Sequence, residues 1–231
     1  MSLIEERLEK LHADIQMHAT AGGGTPGAVQ IVAVTKHATP QQMAEAYDAG
    51  IRDFGENKLQ NAEAQIAAFH ALRPNAAVNW HFIGHLQSNK ASKVIGQFSL
   101  IHSVDSIKLA QKLSEAALSQ GVCQAVFLQI NISGEESKFG FTPDEVRAAI
   151  PALRLMSGIK LCGLMSMAPL SEDPAVADGV FGGLSSLRDQ LEETFGIDLP
   201  ELSMGMSKDY VPALKNGATI IRVGTLLFGS S

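Results

Sequence analysis

Apolar residues recur along this chain with two different periods. Over residues 3–20 they place Leu3, Ile4, Leu8, Leu11 and Ile15 on one face of a 3.6-residue repeat, which predicts an amphipathic helix. Gly22-Gly23-Gly24-Thr25-Pro26-Gly27 breaks it. Beyond residue 28, short apolar runs predict strands near 29–35, 52–54, 79–83, 99–103, 124–131, 159–164, 200–203 and 219–223. Helical patterns separate them near 40–49, 57–70, 88–95, 106–119, 142–153, 174–195 and 207–215. Thr39-Pro40 and Thr142-Pro143 set a capping hydroxyl before a proline at the first helical position, and Asp105 or Ser106 can cap the helix after strand 4.

Regular alternation of strand and helix implies a parallel sheet covered by helices. About eight βα units in roughly 200 residues fit a closed (β/α)8 TIM barrel. An open doubly wound sheet is the competing architecture, but no Gly-x-Gly-x-x-Gly follows the first strand. The expected organisation is one barrel domain over 1–231, with 1–27 as an N-terminal helix and glycine-rich connection. That connection lacks the Gly-Lys-Ser/Thr ending of a P-loop and precedes a strand, so a nucleotide role is not expected of it.

Composition narrows the class. With 45% hydrophobic and 18% charged residues the chain can bury a large core. A net charge of -6 without a basic tract argues against a nucleic-acid partner. No apolar segment is long enough to cross a bilayer, and the charged start Ser2-Leu3-Ile4-Glu5-Glu6-Arg7 is no signal peptide, so no membrane association and a cytoplasmic location are expected. Cys123 and Cys162 lie in apolar runs and are expected to be buried and reduced. No Cys/His spacing suggests a metal.

In a barrel the chemistry gathers at the C-terminal ends of the strands. Strand 1 ends at Lys36, where burial would favour the uncharged, nucleophilic amine. Such an amine can form a Schiff base with a carbonyl compound or with pyridoxal 5'-phosphate (PLP), and the plainer reading is a lysine reaching into water. The loops after strands 7 and 8, where barrels usually bind phosphate, are Met204-Gly205-Met206-Ser207 and Gly224-Thr225. Their small residues let backbone amides approach an anion, and Ser207 and Thr225 add hydroxyls. A phosphate site facing a strand-end lysine is what PLP requires. Arg222, just before the second loop, can face the pyridine nitrogen or close the barrel in an ion pair with Glu56 or Asp209. Asn57 can reach the cofactor or cap a helix. His81 is expected in the core, Lys138 at the solvated surface, Tyr210 on a helix face near the mouth, and Met165, Met167, Met204 and Met206 in packing around it.

The chain resembles the PLP homeostasis protein family, whose fold is like the barrel domain of alanine racemases. The matching stretches are Val32-Ala33-Val34-Thr35-Lys36, Phe54-Gly55-Glu56-Asn57, Trp80-His81-Phe82-Ile83-Gly84-His85-Leu86-Gln87-Ser88-Asn89-Lys90, Ser137-Lys138-Phe139-Gly140, Gly163-Leu164-Met165, and Leu202-Ser203-Met204-Gly205-Met206-Ser207-Lys208-Asp209. Gly217-Ala218-Thr219-Ile220-Ile221-Arg222-Val223-Gly224-Thr225-Leu226-Leu227-Phe228-Gly229 completes the set. The resemblance implies a Schiff base to Lys36 and phosphate contacts from Ser207, Gly224 and Thr225. It also implies Arg222 at the pyridine nitrogen, and Asn57 and Met204 lining the pocket. Lys58 departs from the aromatic residue that many members carry after Glu-Asn.

Three functions compete. The expected one is intracellular PLP buffering or delivery without turnover, by a monomer that passes cofactor to PLP-dependent apo-enzymes. The second is an amino-acid racemase. The resemblance implies that racemases pair the lysine with a tyrosine from an added C-terminal domain, whereas here strand 8 lies close to Ser231 and the tyrosines are Tyr47 and Tyr210. No second acid/base opposite Lys36 is expected, so no enzymatic activity is expected either. The third is a cofactor-free aldolase acting through Lys36.

Overall fold

The protein is described by a computed structural model that covers residues 2–21, 25–135 and 137–229. The triple glycine at 22–24 lies outside the described residues. Strands β1 (Gln30–Val34), β2 (Asp53–Glu56), β3 (Asn79–Phe82), β4 (Leu100–Val104), β5 (Gln124–Gln129), β6 (Ile159–Met165), β7 (Glu201–Met206) and β8 (Ile220–Val223) form a closed parallel barrel in sequence order. This is the expected (β/α)8 architecture, and closure of β1 onto β8, with Val32 opposite Arg222, excludes the open sheet.

Around the barrel lie α2 (Pro40–Asp48), α3 (Leu59–Leu72), α4 (Ala91–Val94), α5 (Ile107–Ser119), α6 (Pro143–Leu153), α7 (Pro174–Phe195), α8 (Tyr210–Lys215) and α9 (Thr225–Phe228). Thr39 and Thr142 each complete a capping box, with Gln42 and Glu145, and Ser106 accepts from the Leu109 amide. Each such cap contributes about 1 kcal/mol. The helix expected over 88–95 is instead a 3₁₀ turn, Ser88–Lys90, followed by the single turn of α4.

Two apolar layers follow from the alternation of strand residues. Ala33, Phe54, Phe82, Ile101, Leu164, Leu202, Met204, Ile221 and Val223 face the helices. Val32, Phe127, Met165 and Ile220 fill the interior. Between β2, β3 and α3, Phe54, Phe69 and Trp80 pack with centroids 5.4–5.8 Å apart, and each contributes about 1.5–3 kcal/mol by burial. The first helix, α1 (Leu3–Ala21), covers α8 and α9. The Tyr210 hydroxyl donates to Asp14 Oδ2 at 2.6 Å, and Arg7 Nη1 donates to the Leu227 carbonyl at 3.0 Å.

The cysteines are not core residues as expected. Cys123 is exposed in the turn before β5, and Cys162 is half-buried at the lower end of the interior. Their apolar neighbours on alternate positions supply the packing instead.

Candidate active cavity at the barrel mouth

One cavity of about 660 Å³ opens at the C-terminal ends of the strands. Lys36, Asn57, Ser207, Arg222, Gly224 and Thr225 all line it. The strands place them there. β1 stops at Val34, Thr35 is the last buried residue, and Lys36 turns out at the rim. The burial expected for Lys36 is therefore not found: its side chain is exposed, because the chain turns away from the sheet at this residue.

Asn57 follows β2 and sits half-buried on the wall. It is not a helix cap, since α3 begins at Leu59 and Lys58 takes the cap position without a side-chain bond. Gly84 makes room for it: a Cβ there would lie 2.0 Å from the Asn57 carbonyl oxygen.

β7 shifts register against β8 between Ser203 and Met206. Gly205 carries the bend at φ +88°, and a Cβ on it would meet the Ala213 Cβ at 2.6 Å. The bend brings Ser207 against the β8 loop. Ser207 Oγ accepts from the Gly224 amide at 3.3 Å and the Leu226 amide at 3.2 Å. The two small-residue loops are thus tied together at the mouth, and α9 begins there as the short final helix.

Met204 is the exception among the expected lining residues. It is fully buried in the helix-facing layer and is absent from the cavity wall. Strand alternation explains this: Ser203 points inward, so Met204 points outward. Met167 and Met206 do border the mouth, and Met165 fills the interior.

Arg222 makes no ion pair with Glu56 or Asp209 among the described residues. It donates through Nη1 to Ser203 Oγ at 2.6 Å and through Nη2 to the Ser166 carbonyl at 3.1 Å. Burial pulls its pKa down from 12.5 to about 10, against an upward pull from Asp209, so it remains a cation at neutral pH. Burial in turn pushes the Asp209 carboxyl up, opposed by the Met206 amide, which donates to Oδ1 at 2.5 Å. Below Lys36, the Glu56 carboxyl meets the Thr35 hydroxyl, and burial raises its pKa. The Thr35 hydroxyl also faces the Gly55 carbonyl at 3.1 Å. The hydroxyl donates toward both oxygens as a shared, three-centre bond.

Elsewhere on the rim, His85 stacks on Phe139 with centroids 3.7 Å apart, and its Nδ1 lies 3.1 Å from Asp105 Oδ2. Lys138 is partly buried and pairs with Glu135 at 2.8 Å, rather than standing free in solvent. Burial and the Asp14 carboxylate raise Tyr210 to about 12 and hold it away from the cavity.

Beneath Arg222 the interior is polar. Ser203 Oγ lies 2.8 Å from His102 Nδ1, His102 Nε2 lies 2.9 Å from His81 Nδ1, and His81 Nε2 lies 3.2 Å from Asp53 Oδ1. Sequence reasoning left His81 as a core residue and gave no role to His102, Ser203 or Asp53. A partial signal exists for two of them: His81 lies between Trp80 and Phe82, and Ser203 between Leu202 and Met204, each at an inward strand position.

The chain matches the family described as "Alanine racemase, N-terminal domain" over residues 8–231. A pyridoxal phosphate homeostasis protein of Synechocystis sp. is 44% identical over 204 residues, covering 88% of this chain and 92% of the relative. One from Pseudomonas aeruginosa is 40% identical over 230 residues, covering 100% and 96%. PipY of Synechococcus elongatus, solved with PLP bound, superposes with a TM-score of 0.86 at 38% identity, over 98% of this chain and 100% of that one. An alanine racemase of Clostridium difficile shares the fold at a TM-score of 0.72 and 16% identity, over 56% of its length. With relatives this similar along nearly their whole length, the chain belongs to the pyridoxal phosphate homeostasis protein family, on the barrel it shares with the N-terminal domain of alanine racemases.

Proposed function

We propose that this chain binds PLP in the mouth cavity, held as a Schiff base on Lys36, and serves to buffer or deliver the cofactor without turnover of its own. The observation that carries the proposal is the convergence of an exposed lysine amine, a buried guanidinium and two tied small-residue loops on one cavity. The donor set suits a phosphorylated pyridine aldehyde. The Ser207 oxygen accepts from the Gly224 and Leu226 amides, which leaves its proton for a phosphate, and Thr225 adds a second hydroxyl donor. Arg222 offers a permanent donor toward a ring nitrogen, and Asn57 stands on the adjoining wall.

PLP supplies an aldehyde that captures amines and a ring that withdraws electrons from them. A guanidinium beside the ring nitrogen opposes its protonation and so restrains that withdrawal, which suits storage better than carbanion chemistry. The relatives named for PLP homeostasis and the PLP-bound PipY support the same ligand.

The walls of the cavity favour storage over turnover. Racemisation needs acid/base groups on both faces of the substrate. Among the described residues no tyrosine lines the cavity, and Tyr210 is engaged by Asp14. We further propose that the protein acts as a monomer in the cytoplasm and passes PLP to apo-enzymes. Among the described residues no helix is long and apolar enough to cross a membrane.

Titrating the ligand-free protein with PLP should develop a visible band at one equivalent. Incubation with L-alanine and chiral analysis should give no D-alanine. A protein that stays colourless would end the PLP reading, and turnover on the order of 1 per second or more would end the non-enzymatic one.

A further inference from the structure

The polar chain under Arg222 crosses the barrel interior from mouth to floor. It links β8, β7, β4, β3 and β2 through Arg222, Ser203, His102, His81 and Asp53. His102 and Ser203 are fully buried, shielded from bulk solvent, so their partners must come from the chain's interior. Donor counting then constrains the direction of every bond. Arg222 can only donate, so Ser203 Oγ accepts from it. A hydroxyl carries one proton, and that of Ser203 must go to an acceptor; the adjacent candidate is His102 Nδ1, at 2.8 Å. His102 then carries its proton on Nε2 and donates to His81 Nδ1 at 2.9 Å. His81 in turn donates from Nε2 to the Asp53 carboxylate, 3.2 Å away. Each member is satisfied, and all the bonds run one way.

The reverse arrangement fails this count. If His102 bore its proton on Nδ1, Ser203 would accept from both neighbours, and its own proton would have no acceptor among these five residues. Burial holds His102 well below the usual histidine range, reinforced by the Arg222 charge, so it offers a single N–H. β5 presents the Phe127 ring to it, edge-on at 4.7 Å. Burial pushes the Asp53 carboxyl up, but the bonds from His81, Asn79 and Gln30 outweigh this and leave it lowered, which keeps it ionised as the terminal acceptor. Asp209, from the loop after β7, pulls the Arg222 pKa upward against burial.

We propose that Ser203, His102, His81 and Asp53 form a one-way hydrogen-bond relay that fixes Arg222 in its orientation toward the cavity. His102 and His81 are then positioning residues for the ligand contact, acting from beneath the site, and Asp53 at the floor sets the polarity of the whole chain. The consequence for the ligand rests on the PLP reading above; the relay itself does not.

Two measurements test it separately. In the ligand-free protein, long-range 1H–15N spectra of the imidazoles at pH 7.5 should show His102 protonated on Nε2 with a bare Nδ1. A proton on His102 Nδ1 would overturn the relay whatever the ligand. With PLP added, His102→Phe keeps a ring against Phe127 but offers Ser203 no acceptor. It should lower PLP affinity about tenfold or more and displace the pH midpoint of the visible band. His102→Asn places an amide oxygen near the former Nδ1 and should recover to within about threefold of the unmodified protein. Should the Phe variant not fold, His102→Gln replaces it, since its amide reaches the Nε2 position and leaves Ser203 unserved. Equal affinity and equal pH midpoints for Asn and for Phe or Gln would overturn the relay. If the unmodified protein gives no coloured adduct, the PLP reading has failed instead, and the imidazole spectra still decide the relay.

Discussion

Replacing Arg222 with methionine separates what holds the fold from what holds the ligand. Burial lowers the guanidinium pKa from 12.5 to about 10, a cost of ~3 kcal/mol for keeping the charge inside. Against this stand two bonds from a charged donor, to Ser203 Oγ at 2.6 Å and the Ser166 carbonyl at 3.1 Å. Bonds of this kind contribute about 1.5–3 kcal/mol each, roughly 3–6 together. Methionine removes both sides of the account and fills much of the space with a flexible apolar chain. The terms leave a net loss of no more than about 2–3 kcal/mol, so the melting temperature should fall by no more than about 4–12 °C for a chain of this size. PLP affinity should fall at least tenfold, because the ring nitrogen loses its donor. Urea unfolding and a spectral PLP titration on the same preparation read both numbers. A stability loss above about 5 kcal/mol with unchanged PLP affinity would refute the reasoning and make Arg222 a structural clasp.

Three further outcomes follow from the geometry. Ser207→Ala removes the hydroxyl whose oxygen ties the two loops together through the Gly224 and Leu226 amides and whose proton serves a phosphate, so PLP affinity should drop about tenfold while stability changes by ~1 kcal/mol; a competition titration with inorganic phosphate checks that the loss lies in the anion site. Glu56→Gln should flatten the pH dependence of stability. Burial raises the Glu56 pKa in the fold, so its contribution is fully present below the unfolded value of 4.5 and is lost as pH rises through the folded one. The glutamine variant, which cannot ionise, should therefore gain stability relative to the unmodified protein as pH rises from 4 to 8, and a parallel decline of both melting curves would contradict the assignment. Gly84→Ala forces a Cβ to 2.0 Å from the Asn57 carbonyl oxygen, and should cost roughly 3 kcal/mol or more by urea unfolding.

The barrel was legible because each βα unit declares itself locally. An apolar run of strand length, a Thr-Pro start with its capping box at Pro40 and Pro143, and a glycine turn need no distant information. The mouth residues were legible for the same reason, since strand ends in sequence become the rim in space. Three features were not. Met204 adjoins the phosphate loop in sequence, but the side it faces depends on which β7 residue points inward, and the register shift near Gly205 obscures that. Lys36 follows a buried strand, yet its exposure is set by the turn after Thr35. The chain from Arg222 to Asp53 joins residues from five strands up to 169 positions apart, and no local pattern announces such a contact.

The central claim is that the Lys36 amine carries the ligand. The direct measurement is borohydride reduction of the PLP-loaded protein followed by peptide mass mapping. The account predicts one pyridoxyl group, located on Lys36, with no visible band and no such peptide in Lys36→Ala. A reduced pyridoxyl group on Lys58, Lys138 or Lys208 with Lys36 unmodified, or an undiminished band in Lys36→Ala, would contradict it.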